Sequence, residues 1–512
     1  MKRSLYRLLP FLCLAALATD PATAGTASKQ DKALAAATTA SLPEFIDFLK
    51  RPNVAHKPGP DMRHNADWVE AAFKRRGFAT RQLEDGETPM VFAEWPGNSK
   101  ARKTVLFYAH MDGQAVFPKE WDQPDPFQPV LKRKLADGRW ETLPIEALTG
   151  GPVDPEWRLF ARSAADDKAP IVMLLAAMDA MKAQGKSPSI NVKIILDSQE
   201  ESGSPTLKDV IDRNRSLLTA DAVVMLDGPM HASNRPTLVF GHRGIGVFTL
   251  TLFGPRGDLH SGHYGNYAPN PAQALATLLA GMKDADGRVL IPGFYDGVDR
   301  SDATRHVLAS VPDDEAAMRA RIGIAAAERL GANYQEAINY PSLNITAMKS
   351  GEIASQRSIL PAQAAASFDI RTLPTTPFDR QVDLVRQWVA AQGYHLVDDV
   401  PTEEDRRRYP KLASLKAGVS TAALMTPLDA SIGVWAAKAF RRQFKQEPVR
   451  IPVMGGTVPT APLVEALKVP VLLVPLVNND NNQHAANENL RLGNYVEGVK
   501  AIYSLLNQPV TD

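Results

Sequence analysis

Three short, mostly apolar runs in the first half of the chain, at residues 104–108, 192–196 and 222–226, have the pattern of buried β-strands, and the first of them is unbroken. Runs of this length without alternation are typical of strands covered on both faces. Between the first two lies a strongly apolar stretch at 169–182, with Pro170 in its first turn, which predicts a buried helix. Strand, helix and strand in this order predict βαβ units, so the fold class is α/β with a largely parallel sheet.

The pattern changes near residue 241. Residues 247–253 alternate as in a half-exposed antiparallel strand, and a helix at 271–282 and strands at 341–348 and 362–370 follow. The α/β pattern then resumes, with helices at 378–392, 432–444 and 494–506 and a strand at 469–474. We therefore predict a first domain, formed by residues 25–240 and 374–512, that is interrupted by a smaller α+β domain at 241–373.

The N-terminus has the pattern of a secretory signal peptide covering residues 1–24. Basic residues precede an apolar run at 8–17, and the small residues Ala22 to Ala24 follow it. The run is too short to cross a bilayer, and no later segment is long and apolar enough to do so. We expect an exported protein, periplasmic or secreted, cleaved near Ala24-Gly25 and without a stable membrane span.

Cysteine content and charge narrow the chemistry further. The only cysteine, Cys13, lies inside the predicted signal peptide, so the mature chain has no disulfide and no thiolate ligand. Any metal must then be held by histidines and carboxylates. The formal net charge of +1, without a concentrated basic stripe, argues against a nucleic-acid partner.

Polar residues follow all three predicted strands. His110 follows the first strand, Glu200 and Glu201 the second, and Asp227 the third, and the carboxyl ends of parallel strands are where α/β proteins place ligands. Asp112, two residues after His110, can accept the other ring N–H of a metal-bound imidazole. The adjacent acids Glu200 and Glu201 repel each other unless a cation neutralises one of them. The other can then take a proton from water.

Two further candidates lie outside strand ends. Asp166 precedes the buried helix in the sequence ADDK, and His484 lies in a polar stretch before the last helix. Each candidate taken alone has an ordinary explanation, such as a solvated turn or a carboxylate at a helix N-terminus. Together His110, Asp166, Glu201, Asp227 and His484 favour two divalent metals and a hydrolytic water, hence a metal-dependent hydrolase.

The ordered motifs resemble those of the zinc metallopeptidases that include carnosinases, acetylornithine deacetylase, succinyl-diaminopimelate desuccinylase and glutamate carboxypeptidases. They are HMDGQ, ARSAADDKAP, SQEESGS, LDG, DLHSGHYG, DIRTLP, GGTVP and QHAANE. The resemblance spans about residues 40–510. The segments WDQPDPFQP, DLHSGHYG and GRVLIPGFYDGV are most similar to the carnosinase-like dipeptidase branch.

The resemblance implies two Zn²⁺ ions per subunit, or similar divalent ions such as Co²⁺ or Mn²⁺. Asp166 would bridge the ions, Glu201 and His484 would complete one site, and His110 and Asp227 would complete the other. It also implies that Glu200 is the general base and that Asp112 orients His110.

The inserted domain, by the same resemblance, is a dimerisation or lid domain of a homodimer. His260 would stabilise the oxyanion in the active site of the partner subunit. Arg371 would bind the substrate carboxylate, and Gly455, Gly456 and Thr457 would line the substrate pocket. Without the resemblance, His260 would be interpreted as a strand-end polar residue and Arg371 as a surface ion-pair partner.

Two departures from the family pattern leave the substrate open. Positions 161, 163 and 169, usually glycine, carry side chains, and the stretch 426–431 lacks a histidine that dipeptidase relatives usually have. We expect hydrolysis of a peptide or amide bond, of the dipeptidase or carboxypeptidase type. The alternatives are an N-acyl amino-acid deacylase on the same metal core and a non-catalytic exported binding protein of this fold.

Overall fold

A computed structural model describes residues 28–54, 60–84, 88–149, 153–355, 357–458 and 461–510. The predicted signal peptide lies outside the described residues. Among the helices of the described ranges, none combines the length and the apolar character that crossing a membrane requires.

The helices of the described residues carry the labels α1 to α15 in chain order. They are α1 Lys29–Leu49, α2 Pro60–Arg75, α3 Lys168–Ala183, α4 Leu207–Arg213, α5 Arg215–Leu218, α6 Ser261–Tyr264, α7 Pro271–Ala280, α8 Asp302–Ala309, α9 Glu315–Ile322, α10 Tyr334–Ile338, α11 Phe378–Ala391, α12 Glu403–Arg408, α13 Ser431–Phe444, α14 Ala461–Leu467 and α15 Leu492–Leu506.

The strands are labelled in the same way. They are β1 Ala79–Leu83, β2 Met90–Trp95, β3 Thr104–His110, β4 Val130–Lys134, β5 Trp140–Leu143, β6 Arg158–Phe160, β7 Asn191–Asp197, β8 Ala222–Met225, β9 Thr237–Val239, β10 Gly241–His242, β11 Gly244–Phe253, β12 Leu259–His260, β13 Ser342–Lys349, β14 Ile359–Leu360, β15 Gln363–Thr372, β16 His395–Leu396, β17 Leu412–Thr421, β18 Leu424–Met425, β19 Val449–Ile451, β20 Val471–Leu473 and β21 Asn489–Arg491.

The main sheet has the order β1-β2-β7-β3-β8-β20-β9-β19. Its centre, β7-β3-β8-β20, is parallel, whereas β1, β2 and the β20-β9 pair are antiparallel. The expectation of an α/β fold with a mostly parallel sheet is confirmed.

Helices cover this sheet on both faces. Along β3, Val105 and Phe107 belong to the apolar core on the side of α3, while Leu106 and Tyr108 belong to the core on the opposite side. Because successive strand residues point to opposite faces, a strand buried on both faces has an unbroken apolar sequence. Residues 104–108 therefore have a pattern that predicts a buried strand.

A second, five-stranded sheet has the order β13-β15-β11-β17-β16. One face packs on α7 and α11 through a separate apolar core. The sequence boundary at residue 373 falls inside this layer, because α11 and β17 also belong to it. The sequence pattern does not predict strand β17, because only its first four residues are buried and the next five are exposed. Its apolar pattern is therefore too short to mark a strand.

Candidate metal centre and substrate site

Three of the predicted site segments meet at one edge of the main sheet. Strand β3 ends at His110, β7 ends just before the turn that carries Glu200 and Glu201, and β8 ends two residues before Asp227. Strand β3 lies between β7 and β8, and all three run parallel. Their carboxyl ends therefore converge, as the ligand-binding edge of such a sheet requires.

Two loops bring the remaining candidates to the same edge. Asp166 precedes α3, and His484 lies in the loop between β20 and β21. One carboxylate oxygen of Asp166 lies 2.8 Å from Nε2 of His110, and the other lies 3.2 Å from Nε2 of His484. The same His484 nitrogen is 3.3 Å from Oε2 of Glu201. Asp166 thus faces both histidines at once.

The five residues form two groups of ligand atoms that share Asp166. The first group is His110, Asp166 and Asp227, and the second is Asp166, Glu201 and His484; within each group the ligand atoms lie within 4.8 Å of one another. We call these five residues the metal cluster. The first group is the more buried, since the side chain of His110 is 1% exposed and that of His484 is 54% exposed.

The charges of the cluster fit a pair of cations. Burial and the neighbouring Asp166 raise the pKa of Glu201 to about 7, and the same two causes raise the pKa of Asp227 to about 6. Burial raises the pKa of Glu200 well above its usual range, with Asp227 and Asp166 adding to the effect. Carboxyl groups that resist ionisation together become stable anions when a divalent cation lies between them.

The histidines show the complementary shift. The hydrogen bond with Asp166 raises the pKa of His484 to about 8. Burial opposes protonation of His110, but Asp112 and Asp166 raise its pKa well above the usual range. His and carboxylate donors without thiolates suit zinc and similar divalent ions.

Asp112 links the cluster to the turn that carries the two glutamates. Its carboxylate is fully buried and accepts the backbone N–H groups of Glu200 at 3.1 Å and Glu201 at 3.0 Å. Nδ1 of His110 lies 3.2 Å from the Asp112 carbonyl oxygen and 3.4 Å from its carboxylate. Asp112 therefore orients both the imidazole and the glutamate turn.

Gln114 is a neighbour of the cluster that the sequence did not reveal. Its side-chain amide donates to Oε2 of Glu201 at 2.7 Å. It lies only two residues beyond Asp112, in the HMDGQ motif, so the motif itself was the available signal.

A cationic site lies where the two sheets adjoin. Nη1 of Arg371, near the end of β15, donates to Oγ1 of Thr457 at 2.9 Å, and Thr457 donates to the carbonyl oxygen of Arg243 at 2.8 Å. We call Arg243, Arg371 and Thr457 the arginine site. The structure therefore brings together two of the residues that the resemblance implied for substrate binding.

Arg243 is the residue of this site that sequence reasoning missed. It is buried, and its Nη2 donates to Oγ of Ser342 at 2.8 Å, while its buried Nε has no hydrogen-bond partner. Burial lowers the pKa of Arg243 to about 10, and the nearby guanidinium of Arg371 adds to the effect. Two guanidinium groups so close together favour an anionic ligand.

The two pocket glycines have room around them. A Cβ atom at Gly455 would lie 3.8 Å from the Tyr334 hydroxyl, and one at Gly456 would lie 3.5 Å from the end of Met454. These are ordinary contact distances. The surrounding chain therefore leaves room for a side chain at either position. A bound ligand is the remaining reason for a glycine there, and it can be tested.

His260 stands apart from the metal cluster of its own chain. It is exposed at the end of β12, and its Nδ1 accepts the backbone N–H of Gly262 at 3.1 Å. Within the ranges that the structure covers, it makes no hydrogen bond or ion pair with the cluster. Its predicted role in a partner subunit stays a prediction.

The stretch 426–431, where relatives usually carry a histidine, is used for packing. Thr426 is buried, donates to the carbonyl oxygen of Val471 at 2.6 Å and accepts its backbone N–H at 3.2 Å. This threonine ties β20 to the neighbouring segment.

Comparison with known proteins places the chain in a family. The model of peptidase family M20/M25/M40 matches residues 106–508, a span that contains the whole metal cluster. The chain belongs to this family.

Curated relatives of this M20 chain are dipeptidases by name. Cys-Gly metallodipeptidase dug1 of Schizosaccharomyces pombe is 27% identical over 468 residues, covering 88% of this chain and 90% of the relative. The human Beta-Ala-His dipeptidase is 27% identical over 436 residues, covering 82% and 78%. The match confirms the predicted resemblance and its carnosinase-like branch.

Solved structures share the fold. The M20 family metallo-carboxypeptidase Sso-CP2 of Sulfolobus solfataricus superposes with a TM-score of 0.68 at 25% identity, covering 91% of this chain and 98% of that one. Human carnosine dipeptidase 1 superposes with a TM-score of 0.66 at 21% identity, covering 94% and 98%.

The family settles two of the general expectations. This M20 chain is a hydrolytic metalloenzyme, so the alternative of a non-catalytic binding protein is set aside. M20 metallodipeptidases use a dinuclear zinc site, and the two ligand groups sharing Asp166 provide the residues for one. The predicted cofactor is therefore confirmed at the level of the family.

Proposed function

We propose that this M20 protein is an exported dizinc dipeptidase. The observation that carries the proposal is the pair of three-residue ligand groups sharing Asp166, with the additional carboxylate of Glu200 beside them. Five protein ligands account for two ions, and Glu200 is left over for proton transfer. The dipeptidase names of relatives that match more than three quarters of their own length support the substrate class.

In this proposal, His110 and Asp227 would hold one ion, Glu201 and His484 would hold the other, and Asp166 would contribute to both sites. When bound, the ions would supply Lewis acidity for polarising a carbonyl and for lowering the pKa of a water. Asp112 keeps His110 and the glutamate turn in place through the contacts described above.

Glu200 acts as the general base. Its burial and the surrounding acids make its carboxylate a better proton acceptor than a solvated glutamate. It takes a proton from the attacking water and passes that proton to the leaving amine, so one group serves both steps.

The arginine site binds the free carboxylate of the substrate. Arg371 supplies a planar pair of donors, and the buried charge of Arg243 adds to the attraction. Gly455 and Gly456 leave space for the substrate backbone beside Thr457. His260 of the partner subunit stabilises the negative charge that develops on the carbonyl oxygen, so the active enzyme is a homodimer.

The N-terminal pattern supports export, and cleavage near Ala24-Gly25 releases the mature enzyme into the periplasm or the medium. N-terminal sequencing of protein from a periplasmic extract tests this part. A mature chain that still begins at Met1 would contradict it.

The function is tested with Glu200→Ala. We expect the variant to keep two zinc ions per chain but to lose about 100- to 10,000-fold in kcat. Metal content by mass spectrometry and turnover of Cys-Gly and β-Ala-His would be measured together. Wild-type turnover in the variant would refute the role of Glu200.

A substrate panel separates the remaining alternatives. Dipeptides, longer peptides with a free C-terminus and N-acetyl or N-succinyl amino acids would be compared on the zinc-loaded wild-type enzyme. Preference for dipeptides supports the proposal, and preference for acylated amino acids identifies a deacylase on the same metal core.

A further inference from the structure

Glu488, the last residue of the QHAANE motif, accepts hydrogen bonds from the loop at residues 162–166, which ends at the shared ligand Asp166. Its side chain is fully buried. Oε1 accepts the backbone N–H groups of Ala165 and Asp166, both at 2.9 Å. Oε2 accepts the backbone N–H of Ser163 at 2.8 Å and a guanidinium N–H of Arg162 at 2.7 Å. Both carboxylate oxygens are thereby used within one short loop.

Arg162 also contacts two other segments that carry predicted metal ligands. Its Nη2 lies 3.3 Å from the carbonyl oxygen of Ala115 and 3.3 Å from that of Ala485. Ala115 follows the motif that contains His110, and Ala485 is adjacent to His484. The Arg162–Glu488 pair therefore connects the loops of His110, Asp166 and His484.

The loop that Glu488 holds is the one that departs from the family pattern. Ser163 occupies a position that is usually glycine, and its φ of 59° lies in the left-handed region. A side chain makes this conformation unfavourable unless surrounding contacts hold it. His484 has a φ of 60° as well. Two of the segments that meet at Asp166 thus need external support for their backbone.

We propose that Glu488 is a positioning residue that fixes the backbone at Asp166, so that its two oxygens face both halves of the metal cluster. The inference rests on the ligand roles in the proposed function. In this proposal, the buried ion pair between Glu488 and Arg162 serves metal binding rather than only the stability of the fold. Because Asp166 is shared, disturbing Glu488 weakens both metal positions together.

The test uses Glu488→Gln, which keeps the side-chain shape but replaces one acceptor oxygen by an N–H donor. Co²⁺ alone is titrated into the metal-free full-length protein, and its affinity and visible absorption spectrum are recorded. We expect affinity at both positions to fall about 10- to 100-fold, as for other groups that orient metal ligands, and the spectrum to change.

The matched control is Glu44→Gln. Glu44 is a partly buried partner of Arg76 at 2.6 Å, in α1 and away from the cluster. We expect it to affect thermal unfolding but leave Co²⁺ affinity and spectrum as in the wild type. Loss of Co²⁺ affinity in both variants to the same extent would overturn the proposal, because the effect would then be one of general stability.

Arg162→Lys keeps the inference testable if Glu488→Gln does not fold. A lysine retains the charge but cannot contact Glu488, Ala115 and Ala485 with one planar group, so weaker Co²⁺ binding is expected. Wild-type affinity and spectrum in whichever variant folds would overturn the proposal. Failure of the wild type itself to bind two Co²⁺ ions would instead contradict the proposed function.

Discussion

The metal cluster and the arginine site differ in whether their side-chain groups find partners within the chain. All five residues of the metal cluster converge within one chain, with Asp166 facing two histidines. The arginine site contains a buried Nε of Arg243 without a partner, and His260 points to no part of its own cluster. The side chains of the metal cluster contact one another, whereas one buried donor of the arginine site has no hydrogen-bond partner among the described residues.

The signs of the charges show the same difference. The metal cluster contains three carboxyl groups and two histidines, and burial and Asp166 raise the pKa of Glu201 and Asp227. The arginine site contains two guanidinium groups, and burial and Arg371 lower the pKa of Arg243. The charges of the two regions therefore favour opposite ligands: cations at the metal cluster and an anion at the arginine site.

The largest expected effect tests the proposal that His260 acts in the active site of the partner subunit. His260→Ala should lower kcat by about 100- to 1,000-fold, because one donor to the oxyanion is lost. Mixed dimers of His260→Ala and Glu200→Ala subunits, purified with two affinity tags, contain one complete site if His260 acts across the dimer. Such dimers should recover about half of the wild-type activity per dimer, because one of two symmetric sites is intact.

The two parental homodimers are the controls for this experiment, since neither contains a complete site. A mixed dimer no more active than its His260→Ala parent would show that His260 does not act in trans. The substrate side would then be complete within one chain, and the difference between the two regions would disappear.

The same difference explains what the sequence could and could not predict. His110, Glu201 and Asp227 follow apolar runs that mark strand ends, so their convergence could be expected from local pattern. Arg243 has no such signal. It precedes the residue of β11 that pairs with Thr372 of β15, and only this long-range register brings it near Arg371.

The continuation of the second sheet beyond residue 373 has a related cause. Strand β17 joins β11 across more than 150 residues of sequence, and its exposed second half lacks apolar alternation. Asp166 as a shared ligand was likewise implied by the family resemblance rather than by spacing, because a carboxylate before a helix is favourable without any metal.

A smaller effect is expected at the arginine site. Arg371→Lys keeps the charge but loses the planar pair of donors, and a hydrogen bond to a charged group contributes about 1.5–3 kcal/mol. We expect KM for a dipeptide to rise about 10- to 100-fold with little change in kcat, as measured by initial rates.

The matched comparison for this variant is the same dipeptide with an amidated C-terminus. It lacks the anion, so wild type and Arg371→Lys should use it about equally poorly. An equal rise in KM for both substrates would show that Arg371 supports the fold of the pocket rather than binding a carboxylate.

The smallest expected effect separates the two regions by pH. In the metal-free protein, the raised pKa values of Asp227, Glu201 and His484, about 6, 7 and 8, mean that the folded state binds protons more tightly than the unfolded state. Their stabilisation is present at low pH and is lost progressively between about pH 4 and pH 8, with Glu201 and His484 responsible for most of the loss above pH 6. The lowered pKa of Asp166 acts in the opposite direction, but only in more acidic solution.

The unfolding temperature of the chelator-treated protein should therefore fall by on the order of a few degrees between pH 6 and pH 8. Zinc should raise the unfolding temperature more at pH 8 than at pH 6, because the ligands must lose their protons to bind the ion.

Glu201→Gln removes one titrating ligand, so it should flatten the metal-free pH dependence and reduce the gain from zinc. An unfolding temperature of the metal-free wild type that rises from pH 6 to pH 8 would contradict this account of the cluster. The arginine site would not produce this dependence, since the pKa of Arg243, about 10, lies above the range measured.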